Sequence, residues 1–204
     1  MRQLLIFVAE SKSENENSDG VYLRETLNYY YEFNRNQTII KFVFMNGKRN
    51  YNKRNIINKI NNYIKNAKIT NKDTIIHVFY IFDKDNNFTS NADRIFNKNV
   101  TEYCHKNGYS IIWMNKNIED VCLHHEVEKR QKTKEASKFK TSYAIHSIDK
   151  KKLSQESANT RHTSNILIEL DKVLHRKLLY LNFKQSFKCE ICWKTILYWH
   201  WLNP

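Results

Sequence analysis

Asp83 and Asp85 stand one residue apart at the end of a long apolar, β-branched run that begins at Ile75. Two chemistries suit that spacing. Asp and Asn often end strands by bonding their own backbone, which makes a turn. Alternatively, carboxylates at i and i+2 leave a strand on the same side and can both turn toward one cation, whereas adjacent residues point to opposite faces. A carboxylate-only site selects hard ions, and magnesium in particular is held by one or two carboxylates plus substrate phosphate oxygens. A third carboxylate from another strand end would complete a one- or two-metal site able to activate water and stabilise a phosphoryl transition state. Glu10, directly after the first apolar run, and Glu119 and Asp120, just beyond the fourth, are the candidates.

The elements that must position these acids follow from hydrophobic periodicity. Strands are predicted at Leu4–Ala9, Thr38–Met45, Thr74–Phe82 and Tyr109–Met114. Between them, helical spacing joins Tyr22, Leu23, Leu27 and Tyr30, and again Ile56, Ile57, Ile60, Tyr63 and Ile64. A third helix over residues 91–107 has Ser90 or Asn91 as its N-cap and Gly108 as its stop. After the fourth strand, residues 117–127 read as a helix with Ile118, Val121, Cys122 and His125 on one face. This alternation implies an α/β fold: a mostly parallel sheet with helices on both faces. Functional groups in such sheets gather at the carboxyl ends of the strands. Whether the three acidic segments meet depends on the strand order.

From about Glu126 the apolar pattern thins. Residues 126–142 and 149–165 read as charged linker or mobile loop, followed by a helix whose stripe is Ile166, Leu167, Leu170, Val173, Leu174 and Leu178. Thr163 or Ser164 suits its N-cap, with a phosphate-binding helix start as the alternative. Trp193, Tyr198, Trp199 and Trp201 crowd the end of the chain and would dock on the core or on a partner. The organisation expected is a catalytic domain over residues 1–128 and a basic linker with a helical, aromatic extension over 129–204.

The formal charge is +13 with 41% hydrophobic residues, which describes a folded basic protein suited to a polyanionic partner. Residues 121–204 hold 16 Lys/Arg against 8 Asp/Glu, so the basic surface is expected chiefly in the C-terminal part. Lys132, Lys134, Lys138 and Lys140, within the group from Lys129 to Lys140, are the expected phosphate contacts, with Lys150–Lys152, Arg161 and His162 beside them; a solvated loop is the alternative. His124 and His125 suit either a general base or partly buried helix positions. Tyr29, Tyr30 and Tyr31 suit base stacking or, for two of them, the core.

Several classes are set aside. No apolar run reaches 18 residues, and the N-terminus reads as a strand rather than a leader, so a cytoplasmic protein is expected. Four cysteines at 104, 122, 189 and 192 suit free thiols, and the lone CxxC of Cys189 and Cys192 is thin support for zinc. No GxxxxGK[ST] is present, so the chain is not itself a P-loop ATPase. Haloacid-dehalogenase phosphatases carry their DxD after the first strand, where this chain has Glu10. Receiver domains are compatible in spacing but fit the basic charge badly.

Taken together, Glu10 after the first strand, "FDKD" (Phe82–Asp85) after the third and "NIEDVCLHH" after the fourth resemble the Toprim domain shared by topoisomerases, primases, recombination-mediator proteins and overcoming-lysogenization-defect nucleases. Within that family the chain is similar to the small RloB-like proteins, including the toprim-type component of abortive-infection systems. The resemblance spans residues 3–128. It implies a Toprim-like fold and a magnesium- or manganese-dependent nuclease acting on DNA or RNA. Glu10 would be its acid/base or metal-binding carboxylate, Asp83 and Asp85 its metal ligands, and Glu119, with Asp120 beside it, the acid of the later helix motif. Bacterial anti-phage defence with a separate ATPase partner is likewise implied. Ser11 stands where the family has glycine after the first glutamate, and Glu14 and Glu16 are alternative carboxylates in that loop. The competing expectation is a non-catalytic subunit that binds nucleic acid or a partner.

Overall fold

The computed structural model describes residues 2–12, 18–84, 90–156 and 160–177. Asp85, Glu14, Glu16, Leu178, the CxxC pair and the aromatic tail lie outside them. Five strands form the central sheet: β1 (Gln3–Ala9), β3 (Thr38–Phe44), β4 (Ile75–Asp83), β5 (Ser110–Asn115) and β6 (Thr163–Ser164), in the order β3-β1-β4-β5-β6. A two-residue strand β2 (Tyr31–Glu32) pairs separately with β7 (His175–Arg176). The first four strands of the central sheet run parallel, and β6 closes one edge antiparallel to β5. β1 is an interior strand buried on both faces, which is why its sequence is a continuous apolar run rather than an alternating one. Register puts Phe7 between Phe42 and Phe79, and the three rings stack at 5.6 and 5.1 Å.

Helices cover both faces. On one side α1 (Ser18–Tyr30) buries Tyr22, Leu23, Leu27 and Tyr30 against Leu5 and Phe7 of β1. On the other, α2 (Arg54–Thr70) and α3 (Asn91–Lys106) bury Ile56, Ile60, Val100 and Cys104 against Leu4, Ile6 and Val8. The change of face follows from chain direction. The chain passes from β1 outward to β3 through α1, then returns across β1 to β4 through α2, and right-handed crossovers in opposite directions put their helices on opposite faces. The direction reverses between β1 and β4, so the crevice outside their carboxyl ends is the switch point at which such sheets bind ligands.

Caps and stops set the helix limits. The Ser90 hydroxyl accepts from the Asp93 amide at 3.3 Å and starts α3, while Gly108, at φ 69°, supplies the left-handed turn that follows it. α4 (Ile118–Leu123) starts on Asn117, whose side chain accepts from the Asp120 amide at 2.8 Å. It stops after six residues because His124 adopts φ 61°, so His125 lies exposed beyond the helix instead of on its buried face.

The C-terminal part differs most from expectation. Residues 132–141, expected as linker, form α5 (Lys132–Thr141), which buries Ala136 and Phe139 in the core shared with α1 and β1. Two apolar side chains suffice because they lie three apart and meet one packed surface. The helix expected to run on from Ile166 ends at Asp171 as α6 (Ile166–Asp171), and the chain then turns into β7. Thr163 and Ser164 are strand residues. Asn165 bridges them to the sheet: its Oδ1 accepts from Trp113 N–H at 2.7 Å and its Nδ2 donates to the Ile111 carbonyl at 3.0 Å, so one side chain extends the ladder along β5. Tyr30 and Tyr31 are core, and Tyr29 packs on Tyr30 and His146.

Candidate active site

Glu10 leaves β1 on a backbone held from the side. Met45 N–H donates to the Ala9 carbonyl and Gly47 N–H to the Glu10 carbonyl, both at 2.8 Å, and Asn46 N–H donates to the Ser11 carbonyl at 3.1 Å. The left-handed positions of this corner are Asn46 (φ 55°) and Gly47 (φ 106°), on the facing loop, and not Ser11. The corner after Glu10 is therefore made without a glycine. Glu10 reaches across the switch point, where its Oε1 accepts the Asp83 amide at 2.9 Å. Lys84 N–H in turn donates to the Met114 carbonyl at 2.7 Å, so the carboxyl ends of β1, β4 and β5 are tied edge to edge.

A cleft of about 670 Å³ opens over the ends of β1 and β4. Glu10, Asp83 and Asp19 contribute its carboxylates, and Lys12, Lys129, Arg130 and Lys132 its cations. Asp19 comes from the first turn of α1. Burial and then the nearby Glu119 raise its pKa above the ordinary carboxylate value, with Lys132, Ser11 and Ser18 acting the other way.

Glu119 sits behind this surface, almost wholly buried. Its Oε1 accepts from the Ser18 hydroxyl at 2.9 Å, and its Oε2 lies 3.1 Å from the Lys132 ammonium. It thereby joins the starts of α1, α4 and α5. Burial works against the charged form of Lys132, but Glu119 foremost, with Asp83 and Asp19 behind it, overcomes this and holds the lysine pKa above its usual value. Lys132 is one-third exposed and lines the cleft, so it presents a fixed positive charge there.

Asp120 is not brought into the cleft. It is fully buried, with its Oδ2 3.0 Å from His162 Nδ1 and accepting the Lys116 amide at 3.3 Å, while its Oδ1 has no hydrogen-bond partner. His162, expected as a phosphate contact, instead directs Nδ1 at the Asp120 backbone carbonyl, at 3.1 Å, beside this carboxylate. Arg161 is exposed and lies 3.5 Å from Glu126, which Lys116 also holds at 2.6 Å. Lys134, Lys138 and Lys140 lie on the exposed face of α5, with Lys138 paired to Glu135 at 2.5 Å. His124 faces His162 edge-on at 5.4 Å, and burial, then Lys152 and His162, lower its pKa.

Among the described residues no group of three or more His, Cys, Asp or Glu side chains is gathered to hold a metal ion. Glu10 and Asp83 do supply two hard-oxygen side chains on adjacent strand ends, the number that magnesium takes when substrate phosphate completes its shell. The donor chemistry thus fits a hard divalent ion, with Glu119 and Asp120 committed elsewhere.

Asp19 and the anchoring role of Glu119 escape sequence reasoning. The signal for Asp19 was the Ser18-Asp19 pair, a helix-start pattern directly before Gly20. Comparison of the chain with protein-family models, with curated proteins and with solved structures finds no match to any of them.

Proposed function

We propose that the chain is a divalent-metal-dependent nuclease of the Toprim type that hydrolyses nucleic-acid phosphodiesters. The observation that carries this reading is the meeting of Glu10 and Asp83 across the β1–β4 switch point, in a cleft whose other charged groups are mainly cations. Glu10 and Asp83 are the residues that would hold magnesium or manganese, which supplies Lewis-acid polarisation of the phosphoryl oxygen and a water of lowered pKa. The chain's own groups bind and orient. Lys132, kept protonated by Glu119, neutralises charge on the phosphate, and Lys12, Lys129 and Arg130 hold the flanking backbone. Anti-phage defence alongside an ATPase partner is supported by the family resemblance alone and belongs to the same proposal.

The test is cleavage of labelled DNA, plasmid and RNA with magnesium, manganese or chelator, beside Glu10→Gln and Asp83→Asn. Gln keeps an oxygen for the Asp83 amide, so both variants are expected to melt within a few degrees of the parent. Cleavage is expected to fall by about 100-fold or more, the scale of losing an electrostatic catalytic group. Metal-dependent cutting that survives both substitutions would reject the site. Binding of nucleic acid with no cutting by the parent under any metal would favour the non-catalytic subunit.

A further inference from the structure

Residues 33–72 contain ten Lys/Arg and no Asp or Glu. The whole chain carries +13, so these forty residues hold ten charges of that excess and all the others together hold three. At the chain's own acid content, 21 in 204, about four acids would fall in such a stretch. The basic character expected of the C-terminal part is therefore concentrated more strongly here.

The fold gathers the stretch on one flank, comprising the edge strand β3 and the helix α2. α2 turns Ile56, Ile60 and Ala67 inward. On its outer side Arg54, Asn58, Asn61, Lys65 and Lys68 follow one another at alternating spacings of four and three, which makes one straight stripe, and Lys72 continues the spacing just past the helix end. All six are exposed. Among the described residues none of these cations pairs with a carboxylate; the Lys68 ammonium bonds only the Lys72 carbonyl, at 2.9 Å.

A merely solubilising face mixes the two signs, since like charges a turn apart repel by a few tenths of a kcal/mol. α3, on the same side of the sheet, does mix them, with Asp93, Arg94, Lys98, Glu102 and Lys106 and a Lys98–Glu102 pair. α2 does not. Its seventeen residues extend about 25 Å, the reach of roughly seven phosphates along one strand. Its start lies on the cleft side, because the Met45–Gly47 loop before it is bonded to Ala9, Glu10 and Ser11. Flexible ammonium groups and amides without an aromatic among them suit phosphate oxygens rather than base edges.

We propose that the α2 stripe is a nucleic-acid backbone-binding surface that leads a strand toward the Glu10–Asp83 cleft without reading its sequence. The proposal rests on the nuclease reading for the purpose of the bound strand. Its test does not, because binding is measured in chelator.

Fluorescence anisotropy of labelled duplex DNA and single-stranded RNA, titrated from about 50 to 200 mM salt, compares three full-length proteins. They are the parent, Arg54→Gln/Lys65→Gln/Lys68→Gln, and Arg94→Gln/Lys98→Gln/Lys106→Gln, which removes the same charge from α3. Gln keeps helix propensity, and thermal melting checks the fold. The α2 variant is expected to bind at least about tenfold more weakly, with a salt slope smaller by about 2–3, while the α3 variant stays near the parent. Equal losses in both variants would reduce the effect to net charge and overturn the proposal. So would an unchanged slope in the α2 variant, or a parent that binds neither nucleic acid; co-sedimentation with phosphatidylserine vesicles, lost in the α2 variant alone, would then assign the stripe to anionic lipid. Failure of the nuclease reading appears separately, as cleavage indifferent to Glu10 and Asp83.

Discussion

Four acids that look alike in the sequence have three different environments. Glu10 and Asp83 face the cleft, Glu119 is an anchor spent on Ser18 and Lys132, and Asp120 is sealed against His162. Asp19, from a helix start, joins the first pair and carries a testable pH signature. Its folded pKa is raised above 3.8, chiefly by burial, so between these two values the native state binds more protons than the unfolded one. Stability from this group is thus full below the ordinary aspartate pKa and is lost as pH rises through the raised one. Asp19→Asn removes that loss. The variant is expected to melt above the parent at neutral pH, with the gain vanishing below about pH 4, in paired thermal melts across the acid range. A gain independent of pH would show that the carboxylate charge is not what burial penalises.

At the scale of elements, one side chain extends the edge of the sheet beyond the short β5–β6 pairing. β6 contributes only two residues, and Asn165 carries the pairing further by bonding Trp113 N–H and the Ile111 carbonyl. Asn165→Ala leaves both partly buried groups without this partner and is expected to cost about 2–3 kcal/mol, read from chemical denaturation. Faster amide exchange at Trp113 should accompany it. Asn165→Asp keeps the acceptor, loses the donor and adds a charge, so it should not restore the parent's stability. A variant as stable as the parent would mean that water replaces both bonds. Sequence reading found the long elements well: α1 and α2 bury regular apolar stripes, and α3 is bracketed by its Ser90 cap and Gly108 stop. It found the short ones poorly: α5 has only Ala136 and Phe139 to show, and β6 is a strand because of its neighbour.

For the whole molecule, the division of labour along the chain is set by a shared core. Ala136, Phe139, Ile145, Leu153, Leu167 and Leu170 belong to the same buried cluster as Leu5, Phe7 and Tyr22. Tyr22 meets Phe139 with ring centroids 4.7 Å apart. A fragment ending at residue 128 exposes that face of α1 and the sheet, and is expected to lack a cooperative melt or to bind a hydrophobic dye. Within the full chain, Phe139→Ala is expected to cost about 3–5 kcal/mol, the usual loss for a buried aromatic ring. A fragment that melts cooperatively near the parent temperature would show that residues after 128 only decorate a self-sufficient unit.

Read alone, the sequence determined the α/β class, the four parallel strands, the helices between them and the carboxylates at strand ends, because burial on one face or both leaves a period in the chain. It also contained the acid-free stretch of residues 33–72, since charge is countable without coordinates. Only the tertiary structure decided which acids meet. The β3-β1-β4-β5-β6 order sets Glu10 beside Asp83 at the switch point, and packing of α5 on α1 delivers Lys132 to Glu119. Neither follows from local pattern, because strand order and helix docking are fixed by contacts between residues far apart in the chain, 73 positions for the first pair. The same reason separates Glu119 from Asp120: neighbours in sequence, they point into different parts of the molecule, and only their surroundings assign them different work.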